Sequence, residues 1–223
     1  SGGGSGNGDI LFKNYNDTEY ARLKIRGLFV NRSLQDWYII DDNSFGKRSK
    51  GGTIDFLFRH ANPISKANSQ KWGEDGLIWG KPLQDKIKSY FTEGRHLRFE
   101  VFNDWLPTDN CFVTLDPNVK DKWGNPVARI RVGNHPHDLK VGRHLANKAV
   151  SVLKEMGAEN ISSNISGSPP PNLVAGGCRF GDDPNTSVLN SDCQAHDVEN
   201  LYVTDASFMP TGGSVPYTWT IYA

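Results

Sequence analysis

The residues best placed for chemistry close the chain, in LYVTDASFMPTGGSVPYTWTIYA. An apolar run, NLYV, reads as a buried strand that ends at Thr204-Asp205, and a turn of small residues follows at Thr211, Gly212, Gly213 and Ser214. Pro216 suits the first turn of a helix, which YTWTIYA continues. A strand, a small-residue turn and a helix start together offer unpaired backbone N–H groups to an anionic or electron-rich ligand beyond the strand's C-terminal end. Glycines in the turn let the backbone come close to that ligand. The same pattern also serves a tight strand–helix crossover that binds nothing, and the residues alone do not separate the two.

Other candidate chemistry is thinner. His135 and His137 flank Pro136 at a helix start, which suits capping or solvated imidazoles better than metal ligation. His60, His96 and His144 show no evident carboxylate or Cys partner. Asp182-Asp183-Pro184 has the residue types of a metal carboxylate pair but reads as an exposed turn. Cys111, Cys178 and Cys193 lack CxxC spacing, so no structural zinc is expected. Cys178 and Cys193 read either as a disulfide or, with Cys111, as thiols. No Gly-x-Ser-x-Gly elbow or Walker loop occurs.

The elements that must position the closing segment read as α+β. TIDFLF, HLRFEVF, CFVTLD and VARIRV alternate with period two and predict strands, and LKIRGLFV does so in part. GKPLQDKIKSYFTEG predicts a helix with Leu83, Ile87, Tyr90 and Phe91 on one face and Gly94 at its end. A second helix starts at Pro136 with Asp138 in its first turn, carries Leu145, Ala149, Val152, Leu153 and Met156 as an apolar stripe, and stops at Gly157. The expected architecture is a mostly antiparallel sheet with helices on one face. The opening SGGGSGNGD reads as a flexible Gly/Ser linker over residues 1–9, and the chain after residue 160 reads as irregular.

Composition narrows the partners. The 223 residues carry 25 basic and 25 acidic side chains, without the basic excess that a nucleic-acid partner calls for. No apolar run approaches the length of a membrane span.

Two long stretches carry a resemblance. GGCRFGDDPNTSVLNSDCQAHDVENLYVTDASFMPTGG resembles the C-terminal hallmark of glucose–methanol–choline (GMC) oxidoreductases, in which a His-x-x-Gly-Thr-Cys-Arg-Met-Gly-like loop leads to an Asn-Leu-(Tyr/Phe)-Val-x-Asp-(Gly/Ala)-Ser strand and a Pro-Thr turn. LPTDNCFVTLDPNVKDKWGNPVARI is similar to the family's upstream run, in the family's order, so the likeness covers roughly residues 97–223. It implies a substrate-binding domain over 10–170 and a truncated flavin-contacting segment over 171–223. It implies FAD as cofactor of a full-length parent whose N-terminal FAD-binding domain this chain lacks, and oxidation of CH–OH groups, with a sugar or polyol as substrate. By position, Asp205, Ala206, Tyr217 and Thr218 become the flavin neighbours. The family's usual catalytic His and His/Asn positions hold Leu173 and Pro216, neither of which can accept a hydroxyl proton. Tyr217 is the first substitute for the base and His196 the second. The rival expectation is a non-catalytic carbohydrate- or protein-binding module derived from such an enzyme. The isolated chain is expected to be inactive and to bind FAD weakly.

Overall fold

The computed structural model describes residues 3–18, 30–46, 48–58, 63–165, 174–214 and 217–222. In chain order its strands are β1 (Gly4–Leu11), β2 (Val30–Leu34), β3 (Ile39–Ile40), β4 (Ser49–Lys50), β5 (Gly52–Phe58), β6 (Trp72–Gly73), β7 (Gly76–Leu77), β8 (Gly94–Asn103), β9 (Phe112–Lys120), β10 (Pro126–Arg131) and β11 (Glu159–Ile165). Its α-helices are α1 (Pro63–Ser69), α2 (Lys81–Thr92), α3 (Pro136–Glu155) and α4 (Thr218–Tyr222). Five strands make one antiparallel sheet in the order β11-β1-β8-β5-β2, and the rest pair as the hairpins β3–β4, β6–β7 and β9–β10. The fold is α+β and mostly antiparallel, as the strand patterns predicted. The partial strand pattern in LKIRGLFV lies outside the described residues except for Val30, which opens β2.

Period-two alternation places Ile54 and Phe56 of β5 with Leu97, Phe99 and Val101 of β8 on one face, each 4% exposed or less. Helix α3 lays Val141, Leu145, Ala149 and Leu153, spaced four apart, against that face. A fully buried Val or Leu among these contributes about 1.5–3 kcal/mol. The helix boundaries follow from its end residues. His135 caps the start by accepting the His137 N–H through Nδ1 at 3.2 Å. Gly157, at φ 68°, takes the left-handed conformation past the end, where the Ala158 N–H reaches the Leu153 carbonyl and the Gly157 N–H reaches that of Lys154, both at 2.9 Å.

The opposite face of the sheet carries a polar row, beside the buried Thr53 and Leu57 of β5. Registered pairs line up Asn164, Ser5, Glu100, Asp55 and Ser33 in one row across all five strands. Asp55 and Glu100 face each other, an arrangement that is unfavourable for like charges. Ser33 Oγ donates to Asp55 at 2.5 Å and Arg98 pairs with Glu100 at 2.6 Å, which offsets the repulsion.

Several expectations are corrected. The opening Gly/Ser run is not a flexible linker: residues 4–9 belong to β1, which lies between β8 and β11. Its glycines are there because the neighbours are close. A Cβ on Gly6 would come within 2.5 Å of the Phe99 ring, and one on Gly8 within 3.3 Å of Leu153 on α3. The chain after residue 160 is not irregular throughout, since β11 runs to Ile165 with Ile161 and Ile165 packed on the core. Its Ser and Asn residues hid an edge strand. NLYV is not a buried strand: Leu201 and Tyr202 are exposed, and Tyr202 makes a single bridge to Gln194. The apolar face expected of α2 is formed, but Leu83, Ile87 and Tyr90 are only half-buried and Phe91 is exposed, while Gly94 opens β8 directly.

Candidate functional site

The closing segment is built against two separate parts of the chain. Backbone N–H groups of Gly176, Cys178 and Phe180 donate in turn to the carbonyls of Ala206, Ser207 and Phe208, at 3.3, 2.8 and 2.9 Å. This ladder zips the 174–181 loop to the Asp205 turn. Under it, Leu189, Ala195 and Phe208 form a small core with Cys178 and Cys193 alongside. All three cysteines are free thiols, so Cys178 and Cys193 are not joined.

The second anchor is the end of the β5–β8 pair. Ser214 is fully buried; its Oγ donates to the Gly51 carbonyl at 3.3 Å, and Thr53 Oγ1 donates to the Ser214 carbonyl at 3.2 Å. The Gly212 N–H donates to the Trp105 carbonyl at 3.2 Å. Sequence reasoning missed Thr53, Trp105 and Ser214 as the joint between segment and sheet, because nothing local in their surroundings marks a contact more than 100 residues away.

The four expected flavin neighbours fall along this segment. Asp205 caps the 3-10 turn Ala206–Phe208, and its Oδ1 accepts from the Ser207 N–H at 2.8 Å and from the Ser207 hydroxyl at 2.5 Å. Those bonds hold its carboxyl below the usual range. Ala206 is half-buried, and its carbonyl accepts from Gly176. Tyr217 is buried, and its hydroxyl donates to the Val174 carbonyl at 3.0 Å. Burial raises the phenol's pKa, so a phenolate is disfavoured here although Tyr217 adjoins the start of a helix. Thr218 opens α4 and is exposed, with Trp219 and Tyr222 beside it at 84% and 79% exposure. The Val174 and Ala206 contacts bring Tyr217, the 174–181 loop and the Asp205 turn to one locus. Leu173 and Pro216 lie outside the described residues.

The remaining candidates serve local structure. His196 Nε2 sits 2.9 Å from Ser187 Oγ within its own loop. Asp183 organises an exposed turn by accepting the Asn185 N–H at 2.9 Å. His96 has a carboxylate partner after all, with Nδ1 2.8 Å from Asp9 across the β1–β8 pair. No group of three or more His, Cys, Asp or Glu is arranged to hold a metal ion among the described residues. No helix among them is long and apolar enough to cross a membrane.

Comparison with known proteins finds relatives for most of the chain. Residues 107–223 match the family model described as GMC oxidoreductase. The 2-methyl-1,2-propanediol dehydrogenase of Mycolicibacterium austroafricanum is 36% identical over 180 residues, which is 78% of this chain and 32% of that protein. The 6'''-hydroxyparomomycin C oxidase of Streptomyces lividus is 34% identical over 172 residues, 77% of this chain and 30% of that protein. The gluconate 2-dehydrogenase flavoprotein of Pantoea cypripedii is 29% identical over 145 residues, 60% of this chain and 23% of that protein. The chain belongs to the GMC oxidoreductase family and contains its C-terminal domain. It spans less than a third of the length of each of these relatives.

Proposed function

We propose that this chain is the substrate-binding part of an FAD-dependent oxidoreductase that acts on CH–OH groups of a sugar or polyol. Residues up to 170, β1 included, form the substrate-binding domain, and residues 171–223 form the flavin-contacting segment. The observation that carries the reading is the ladder between the 174–181 loop and the Asp205 turn, which unites two stretches of the family's hallmark around Tyr217. The polar row Asn164, Ser5, Glu100, Asp55 and Ser33 supports a hydroxylated substrate, since it offers hydrogen-bond groups on a face that α3 leaves free. Relatives named for 2-methyl-1,2-propanediol and for paromomycin-type compounds support the same class.

Asp205, Ala206, Tyr217 and Thr218 would hold the flavin, with the N-terminal FAD-binding domain of the parent on its other side. Exposed Trp219 and Tyr222 fit a segment that expects a covering partner. When bound, FAD supplies the hydride acceptor. The chain's own task is to orient the carbinol, exclude water and take the hydroxyl proton. Tyr217 is the proposed proton acceptor; in that role its phenol must first release to solvent the proton it donates to the Val174 carbonyl, a step that burial opposes, and the resulting phenolate takes the carbinol proton.

A second reading, a non-catalytic binding module derived from such an enzyme, is favoured by one observation: Leu and Pro occupy positions 173 and 216. Anaerobic mixing of the full-length, FAD-loaded parent with a panel of polyols and sugars separates the two. Bleaching of the oxidised flavin band by at least one of them supports the oxidoreductase. A parent that keeps its FAD yet is reduced by no alcohol supports the module.

A further inference from the structure

Asp138, in the first turn of α3, is 1% exposed. Both of its carboxylate oxygens accept the Leu106 N–H, at 3.3 and 3.2 Å, and its backbone carbonyl accepts from the Asn103 side-chain amide at 3.2 Å. The helix start is thereby tied to the segment that follows β8. One residue back, the Trp105 carbonyl accepts the Gly212 N–H, and a Cβ on Gly212 would lie 3.2 Å from that of Trp105. Asp104, 8% exposed, pairs through Oδ2 with Lys50 at 3.1 Å, while its Oδ1 has no partner. Lys50 leads into Gly51 and Thr53, the residues that hold Ser214. Two short routes, one through Trp105 and one through Lys50, therefore run from this buried carboxylate cluster to the same closing turn.

We propose that Asp138 is a positioning residue for the closing turn: its charge state sets the 104–106 segment, and that segment sets Gly212–Ser214. A buried carboxylate is a strong acceptor for the Leu106 N–H. Once protonated it becomes a weaker acceptor and gains an O–H to donate, and Asp104 Oδ1 is an acceptor in the same cluster that lacks a partner. Burial pushes the Asp138 carboxyl up to about 6; the Asp104 charge adds to this, while the Leu106 N–H and His135 oppose it. The charged and titratable groups facing Asp138 are Asp104, His135 and, across Asp104, Lys50. The consequence for the flavin rests on the reading of the closing turn above, whereas the coupling itself does not.

Amide NMR of the labelled chain, titrated through the weakly acidic range, tests this. Leu106 and Gly212 are expected to shift together with one midpoint near pH 6. Asp138→Asn should abolish both titrations, and Asp104→Asn should move the midpoint down. His135→Asn, which keeps a cap acceptor and removes the imidazole, should leave both in place. A Gly212 amide that stays still while Leu106 titrates overturns the proposal, and this reading needs no variant to fold. Titration that survives in Asp138→Asn, or disappears in His135→Asn, overturns it as well. A turn that titrates as expected upholds the coupling even if the parent proves to hold FAD elsewhere.

Discussion

Tyr217 and Asp138 are both buried acids whose pKa burial raises, and the consequences differ. The Tyr217 hydroxyl is satisfied by the Val174 carbonyl. Tyr217→Phe is expected to cost about 1 kcal/mol of stability, the usual net worth of one such bond. Denaturant unfolding of the chain measures it. In the full-length parent, a base role requires the same change to slow flavin reduction by at least about 100-fold with flavin content unchanged. An unchanged rate assigns Tyr217 to packing. Asp138 has a folded pKa of about 6 against an ordinary value of 3.8, so the folded chain holds this proton more tightly than the unfolded one. Its contribution is fully present below the unfolded value and is lost as pH rises through the folded one. The wild type should therefore gain about 1 kcal/mol on Asp138→Asn as pH falls from roughly 7.5 to 5, read from paired unfolding curves. The sequence showed Asp138 as a first-turn helix acid; its burial arises from Leu106 and Asn103, which are remote in the chain.

At the scale of elements, period-two strands and the long helix were legible because their patterning and caps are local. Strands β1 and β11 were not, because Gly, Ser and Asn are the residues of both a flexible linker and a strand squeezed between neighbours. Gly6→Val should be severely destabilising, on the order of 3 kcal/mol or more, since the side chain would be forced into Phe99 and the β11 backbone. Gly157→Ala should cost only about 1 kcal/mol, because nothing lies within 4 Å and the penalty is that of the left-handed backbone. Thermal unfolding of the two variants gives the contrast. The β9–β10 hairpin pairs Val113 with Ile130 and Leu115 with Ala128, which makes an apolar patch on one face, yet Val113, Leu115 and Ile130 are 67%, 67% and 70% exposed. Leu115→Lys with Ile130→Lys is expected to lower binding of a hydrophobic dye while changing stability by under about 0.5 kcal/mol per site.

At the scale of the molecule, the chain packs its five-stranded sheet against α3 and then lays its last stretch across the end of β5 and β8. The two hallmark stretches could be recognised in the sequence, and their meeting at Tyr217 could not, because it depends on the 176–180 ladder and on Ser214. The chain alone should bind FAD weakly, since no loop among the described residues is fitted to cradle the pyrophosphate, the usual main anchor of a dinucleotide. The central claim is that the closing segment faces the flavin, and a structure of the full-length parent with FAD bound tests it most directly. Asp205, Ala206, Tyr217 and Thr218 should lie in contact with the flavin, within about 4 Å, with the polar row of the sheet across the substrate space. A flavin held elsewhere, with those four residues facing solvent or another chain, would contradict the account.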